Sequence, residues 1–307
     1  MRLDNQRESS NVEDRRSSGG GFGGGGLRRA GMGGGGIPLR GGSLVTIAVL
    51  IGIGWLVFGI NPLHMLSILT GGGGYSDSQS YQPSQPSGGT TASSQNDPGR
   101  QFVAKVLGST EDVWSEIFAS ANKSYQPAPL VLFRGTTVSA CGQASSASGP
   151  FYCPNDGKVY IDLAFYDELR SRFGAPGDFA QAYVIAHEVG HHVQDLIGVL
   201  PEFNRQRQTA SRAEANEMSV RVELQADCFA GIWANKTDQK GMLEDGDIDE
   251  ALNAATQIGD DTIQKRTQGH VVPDSFTHGT SAQRSAWFKR GYDTGRMDAC
   301  DTFSGSI

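Results

Sequence analysis

His187-Glu188-Val189-Gly190-His191 is the stretch from which the rest of this chain is read. Residues four apart on an α-helix share a face, so both imidazoles can reach one point. Glu188 follows the first histidine, where its carboxylate can meet a water on the open side of a metal held by that pair. The flanks predict the helix itself. Asp178 is the expected N-cap, and Phe179, Tyr183, Val184, Val189, Val193, Leu196 and Ile197 recur at roughly helical spacing. Gly198 followed by Pro201 supplies a stop. Gly190 costs such a helix up to about 1 kcal/mol relative to alanine, which suggests that another segment approaches closely there. His192 lies about 100° around the helix from His191 and reads as structural. The plain alternative is a surface helix that happens to carry histidines, and the apolar neighbours argue against it.

A third ligand is needed, because catalytic zinc usually takes three protein ligands and keeps one position open. The extended metzincin pattern requires a glycine at 194 and a histidine at 197. The chain has Gln194 and Ile197, which excludes that class. Glu223-Leu224-Gln225-Ala226-Asp227 is the better source, within a second apolar helix carrying Val220, Val222, Leu224, Phe229, Ile232 and Trp233. Glu223 and Asp227 share a face. Glu223 is the expected ligand, against the alternative of a solvated helix face. Asp227 is expected to accept the free ring N–H of His187 or His191, fixing its tautomer.

Three stretches together resemble the bacterial neutral zinc metallopeptidase family of the YpfJ type. They are His187-Glu188-Val189-Gly190-His191-His192-Val193-Gln194, Glu223-Leu224-Gln225-Ala226-Asp227-Cys228-Phe229-Ala230-Gly231 and His278-Gly279-Thr280-Ser281-Ala282-Gln283-Arg284. The opening stretch from Arg7 to Arg16 also resembles that family's amino terminus. The resemblance covers nearly the whole chain, the Gly/Ser/Gln-rich residues 71–98 being unspecific. It implies a membrane-anchored protein with zinc-peptidase motifs and says little about substrate.

Residues 1–42, dominated by glycine with scattered arginine from residue 17 onward, read as a disordered amino-terminal region. Ser43 to Ile60 is an uncharged apolar run of the length that crosses a bilayer, and it reads as a single transmembrane anchor. Residues 61–98 read as a flexible linker, and 99–307 as the zinc metallopeptidase domain. Seven arginines precede the apolar run (Arg2, Arg7, Arg15, Arg16, Arg28, Arg29 and Arg40), against four acidic residues, and no lysine or arginine follows it until Arg100. The positive-inside rule then expects the amino terminus in the cytoplasm and the catalytic domain outside it, periplasmic or extracellular. The net charge of −7 offers no basic surface for nucleic acid.

All four cysteines follow the apolar run, as expected of disulfides in an exported domain. Cys141 and Cys153 bracket a loop of turn residues and are the favoured pair, which leaves Cys228 with Cys300. Zinc ligation by cysteine is disfavoured, since no two are close in sequence. The expected fold is α+β and predominantly helical, a zincin-like catalytic domain with a small sheet. Helices are expected from Phe102 to about Ala121, from Asp162 through Phe173, over 247–265 and from Ser281 to about Gly295. Leu130–Phe133 and Lys158–Ile161 are strand-like. Tyr152 to Ile161 is a candidate edge strand for holding a substrate backbone.

The expected activity is hydrolysis of protein or peptide substrates, with one zinc ion on His187, His191 and Glu223 and with Glu188 as general base. A second donor must face the developing oxyanion. His278 is the first candidate, with Arg284 and Tyr160 behind it; structural bonds are their ordinary alternatives. The rival function is a non-catalytic envelope binding or scaffold module in which zinc only staples the fold. Glu188 discriminates between the two, because a structural site has no use for a base.

Overall fold

The computed structural model describes residues 1–17, 96–145 and 149–307. The expected anchor at 43–60, and most of the expected disordered region and linker, lie outside those residues. Within them the protein is mostly helical with a small sheet, the α+β class expected. No helix among the described residues is long and apolar enough to cross a membrane.

The sheet has the strand order β1-β2-β6-β5, where β1 is Val12–Asp14, β2 Leu130–Phe133, β5 Phe151–Cys153 and β6 Lys158–Asp162. β1 and β6 both run parallel to β2, and β5 runs antiparallel to β6. Every residue of β2 is buried, as the uninterrupted Leu-Val-Leu-Phe run requires of a strand covered on both faces. The expected edge strand over 152–161 is therefore two strands. β6 is interior, and β5 lies at one end of the sheet, with β1 at the other. A separate hairpin, β3 (Thr136–Ser139) with β4 (Gly142–Ser145), precedes β5.

Helix α1, Pro98–Ser120, starts earlier than its apolar spacing implied. The Asp97 side chain accepts the Arg100 N–H at 2.8 Å, and Pro98 occupies the first turn, where no backbone donor is needed. Next come α2 (Ala164–Ser171), α3 (Asp178–Leu196), α4 (Val199–Arg207), α5 (Arg212–Gln239), α6 (Asp247–Gln257), α7 (Asp260–Gln268) and α8 (Ser281–Thr294). The expected single helix over 247–265 is broken between α6 and α7. The cause is contact: a Cβ on Gly259 would lie 2.4 Å from the Ser281 nitrogen, so the chain turns there to let α8 in. Pro201, read as a stop, instead sits in the first turn of α4, after the left-handed Gly198 ends α3.

Helix α3 lies in the core against α5, and α5 lies against α8. Glycines set both spacings. A Cβ on Gly190 would come 2.9 Å from the Ala226 carbonyl oxygen, which explains a glycine in mid-helix. Gly231 and Gly291 bring α5 and α8 closer still: their added Cβ atoms would meet the Phe288 and Cys228 carbonyl oxygens at 2.0 and 1.9 Å. Disulfides join Cys141 to Cys153 and Cys228 to Cys300, as expected.

The amino-terminal expectation fails for the first 17 residues. They form an ordered arm built into the same unit as the helices. The Ser9 N–H donates to the Ala104 carbonyl at 2.8 Å, and the Leu130 N–H to that of Asn11 at 2.8 Å. The Met1 ammonium sits among Asp178, Glu244 and Asp247 at 2.9, 3.1 and 3.4 Å. Asp178, Asp247 and Glu250 are close enough to hold a metal, but the chain's own cation fills that acidic corner. Asp178 thus serves as the first residue of α3, not its cap, and Gly177 precedes it. Composition hid the arm, because its order comes from partners far along the chain.

Candidate metal centre

One turn of α3 presents His187 and His191, and α5 presents Glu223 across the contact set by Gly190. The three residues offer ligand atoms that all lie within 4.8 Å of one another. His187 Nε2 is 3.2 Å from Glu223 Oε2, and His191 Nε2 is 3.5 Å from Glu223 Oε1. Ligands about 2.0–2.1 Å from a tetrahedral zinc stand roughly 3.3 Å apart, so this spacing fits the ion.

Each histidine is aimed by a bond on its far nitrogen. His187 Nδ1 is 2.8 Å from Asp227 Oδ1, which leaves Nε2 toward Glu223. His191 Nδ1 is 2.9 Å from Gln194 Oε1. Gln194 is itself pinned, since its Nε2 donates to the Val222 carbonyl at 2.7 Å and to Gln225 Oε1 at 3.0 Å. Gln225 in turn donates to the Cys300 carbonyl at 3.0 Å, beside the disulfide. Sequence reading used Gln194 only to exclude a class. Its place three residues after His191, on the ligand face, was the available signal.

Asp227 is fully buried and accepts from three groups at once. Arg284 Nε donates to Oδ2 at 2.8 Å, and the Tyr183 hydroxyl and His187 both reach Oδ1. Burial opposes its charge, but the Arg284 and His187 charges outweigh burial and bring Asp227 down to about 2. Burial likewise opposes a charged His187, yet Asp227 and Glu223 raise it to about 10. Glu223 is held well below the usual carboxylate range despite burial, chiefly by His191 and His187. A buried carboxylate, Asp227, and a partly buried one, Glu223, thus make this corner favour added positive charge, whether protons or a metal ion. Arg284 is committed to Asp227, and Tyr183, four residues before His187 and read from sequence only as part of the helical spacing, donates to the same carboxylate.

His187, His191, Glu223 and Glu188 open onto a cleft of about 640 Å³. His278 lines it as well, with its side chain half exposed. Asp260 sets its position: Oδ2 accepts the backbone N–H groups of Thr277, His278 and Gly279, while Oδ1 lies 3.1 Å from the ring Nδ1. Burial disfavours the charged His278 ring, but Asp260 and Glu223 raise its pKa above the ordinary value. Tyr160 is not among the residues that line the cleft. Its hydroxyl donates to Asp156 at 2.7 Å and its ring stacks on Phe151, so it is not an oxyanion donor. His192 is structural as expected, with Nε2 bonded to the Gln126 carbonyl at 2.6 Å and a pKa lowered by burial.

The family model described as "Putative neutral zinc metallopeptidase" matches residues 1–303. The uncharacterized protein YpfJ of Escherichia coli is 48% identical over 308 residues, which cover the whole of both chains. An uncharacterized protein of Mycobacterium bovis is 44% identical over 213 residues, covering 66% of this chain and 70% of its own. No solved structure matches.

Proposed function

We propose that this chain, which belongs to the neutral zinc metallopeptidase family, is a zinc endopeptidase of zincin-like design. On this reading it acts on proteins or peptides outside the cytoplasm and meets the membrane through residues 43–60. The observation that carries the reading is an open cleft lined by the converging His187, His191 and Glu223 and also by Glu188. A zinc ion held there would supply a Lewis acid and lower the pKa of a water. A staple needs four protein ligands and no cleft, whereas three ligands and an opening suit chemistry.

The chain's own residues divide the work. Glu188 takes the proton of the attacking water and returns it to the leaving amine. His278, held in place by Asp260, donates to the carbonyl oxygen as charge grows there. Asp227, with Arg284 and Tyr183 behind it, keeps His187 aimed, and Gln194 does the same for His191.

β5 supports strand addition by the substrate backbone, because it ends the sheet and Phe151 and Tyr152 line the cleft. The Tyr152 hydroxyl donates to Asp195 at 2.8 Å and ties that strand to α3. Phe165, Phe173, Leu200 and Phe203 line the cleft beside Glu168, Arg172, Asn204 and Arg207, which offers a substrate apolar surface interleaved with charge. The full chain loaded with zinc should cleave an unfolded protein, lose that activity to a chelator and regain it with zinc. Zinc binding without cleavage across a broad peptide library would instead support a binding module.

A further inference from the structure

We propose that residues 1–17 and the unit carrying His187, His191 and Glu223 lie on the same side of the membrane. This inference does not rest on the peptidase reading. It replaces the expectation of a cytoplasmic amino terminus opposite an exported domain.

The arm is part of the fold. β1 pairs with β2 over three residues in register, and without it β2, buried along its length, would present a bare polar edge. Helix α1 is shaped for the arm. A Cβ on Gly108 would come 2.6 Å from the Arg7 carbonyl oxygen, so glycine there leaves room for that backbone. Glu111 is buried in the same helix, and its partners come from the arm: the Ser9 hydroxyl, the Asn11 amide at 2.7 Å and the Arg7 guanidinium at 2.8 Å. A buried carboxylate stripped of those donors is costly, so the unit needs the arm beside it.

The ends of the joining segment decide the topology. Arg16 Nη1 lies 3.0 Å from Asp97 Oδ2, although 81 positions separate them in sequence. A single passage would hold those ends on opposite faces of a hydrocarbon core about 30 Å thick. The charge count that favoured a cytoplasmic amino terminus also changes. Arg7 pairs with Asp112, Arg16 with Asp97 and Arg2 with Glu244 across the unit, while Arg15 pairs with Glu13 of the arm itself. Both disulfides lie in this unit, which favours an oxidising compartment for arm and site together.

Thiol labelling of the full chain in spheroplasts tests the inference. All four native cysteines are paired, so Asn5→Cys in the arm and Lys123→Cys in the helical unit, both at exposed positions, each add one free thiol. A melting curve matching wild type shows that each variant is folded. With a membrane-impermeant maleimide, the two thiols should label to the same extent before lysis. Equal labelling in intact spheroplasts supports one exported compartment. Labelling of both only after lysis also supports a shared side, while placing it in the cytoplasm. Labelling of Lys123→Cys in intact spheroplasts with Asn5→Cys labelled only after lysis would overturn the proposal.

Discussion

Asp227 Oδ1 lies 2.8 Å from His187 Nδ1, and the same carboxylate receives the buried Arg284 guanidinium. One residue thus aims a proposed metal ligand and compensates a buried charge. Removing it should damage both. Asp227→Ala should weaken zinc binding about 10–100-fold, the usual loss when a ligand's supporting carboxylate goes. It should also cost roughly 3–5 kcal/mol, because Arg284 is left buried and unpaired. Zinc titration and denaturant unfolding check the two effects separately. Unchanged zinc affinity would mean that His187 is aimed by something else.

The metal site also depends on how closely α3 and α5 pack. Gly190→Ala would force a Cβ against the Ala226 backbone, pushing apart the helix that carries the histidines and the helix that carries Glu223. Overpacking of this kind costs about 1–3 kcal/mol, offset by up to about 1 kcal/mol of gained helix propensity. We expect weaker zinc binding together with a lowered Tm. A variant with full zinc affinity would show that the helix spacing is not limiting.

His278 and Asp260 should separate from the ligands in their effects. His278→Ala should keep zinc while lowering kcat about 10²–10³-fold, the loss typical of one oxyanion donor. Asp260→Asn should lower kcat less and also weaken the loop over 277–279, whose N–H groups the carboxylate collects. A zinc assay alongside steady-state kinetics distinguishes both from loss of metal.

Asp260 also carries a pH signature. Burial raises its pKa, but the His278 side-chain and backbone bonds outweigh burial and hold it below the ordinary 3.8. The folded value is depressed, so its stabilisation is present above pH 3.8 and is lost as pH falls through the lower folded value. Wild type should therefore lose stability more steeply than Asp260→Asn below about pH 4. Parallel acid-unfolding curves would contradict this assignment.

Reduction should loosen the carboxy-terminal side of the site. The Cys228–Cys300 bond closes a separation of 72 residues, and its loss should cost about 2–4 kcal/mol, mainly through the unfolded chain. It also frees the Cys300 carbonyl that holds Gln225, which holds Gln194 behind His191. Tm and zinc affinity should fall together under reductant.

Much of the site was legible because it is local. His187, Glu188 and His191 lie in one turn, and Glu223 with Asp227 in another, so helical spacing alone puts each set on a face. Both disulfides followed from cysteine placement, and Gly190 already implied a close neighbour. What sequence reading missed is contact between distant segments. Asp260 reaches His278 across a turn whose path depends on Gly259 packing on Ser281. The arm from Met1 resembles a polar, unstructured terminus until Glu111 and β2 are seen opposite it. Tyr160 looked like a donor by type, but alternation along β6 turns it to Phe151 and Asp156.

The central claim is that the cleft does chemistry, and Glu188 is its most direct test. Glu188→Gln keeps the side chain's size and all three proposed ligands while removing the base. In the full chain loaded with zinc, it should hold zinc as wild type does and show cleavage of an unfolded protein reduced by at least about 10²-fold, the low end for a general base. Cleavage equal to wild type at equal zinc content would contradict the account.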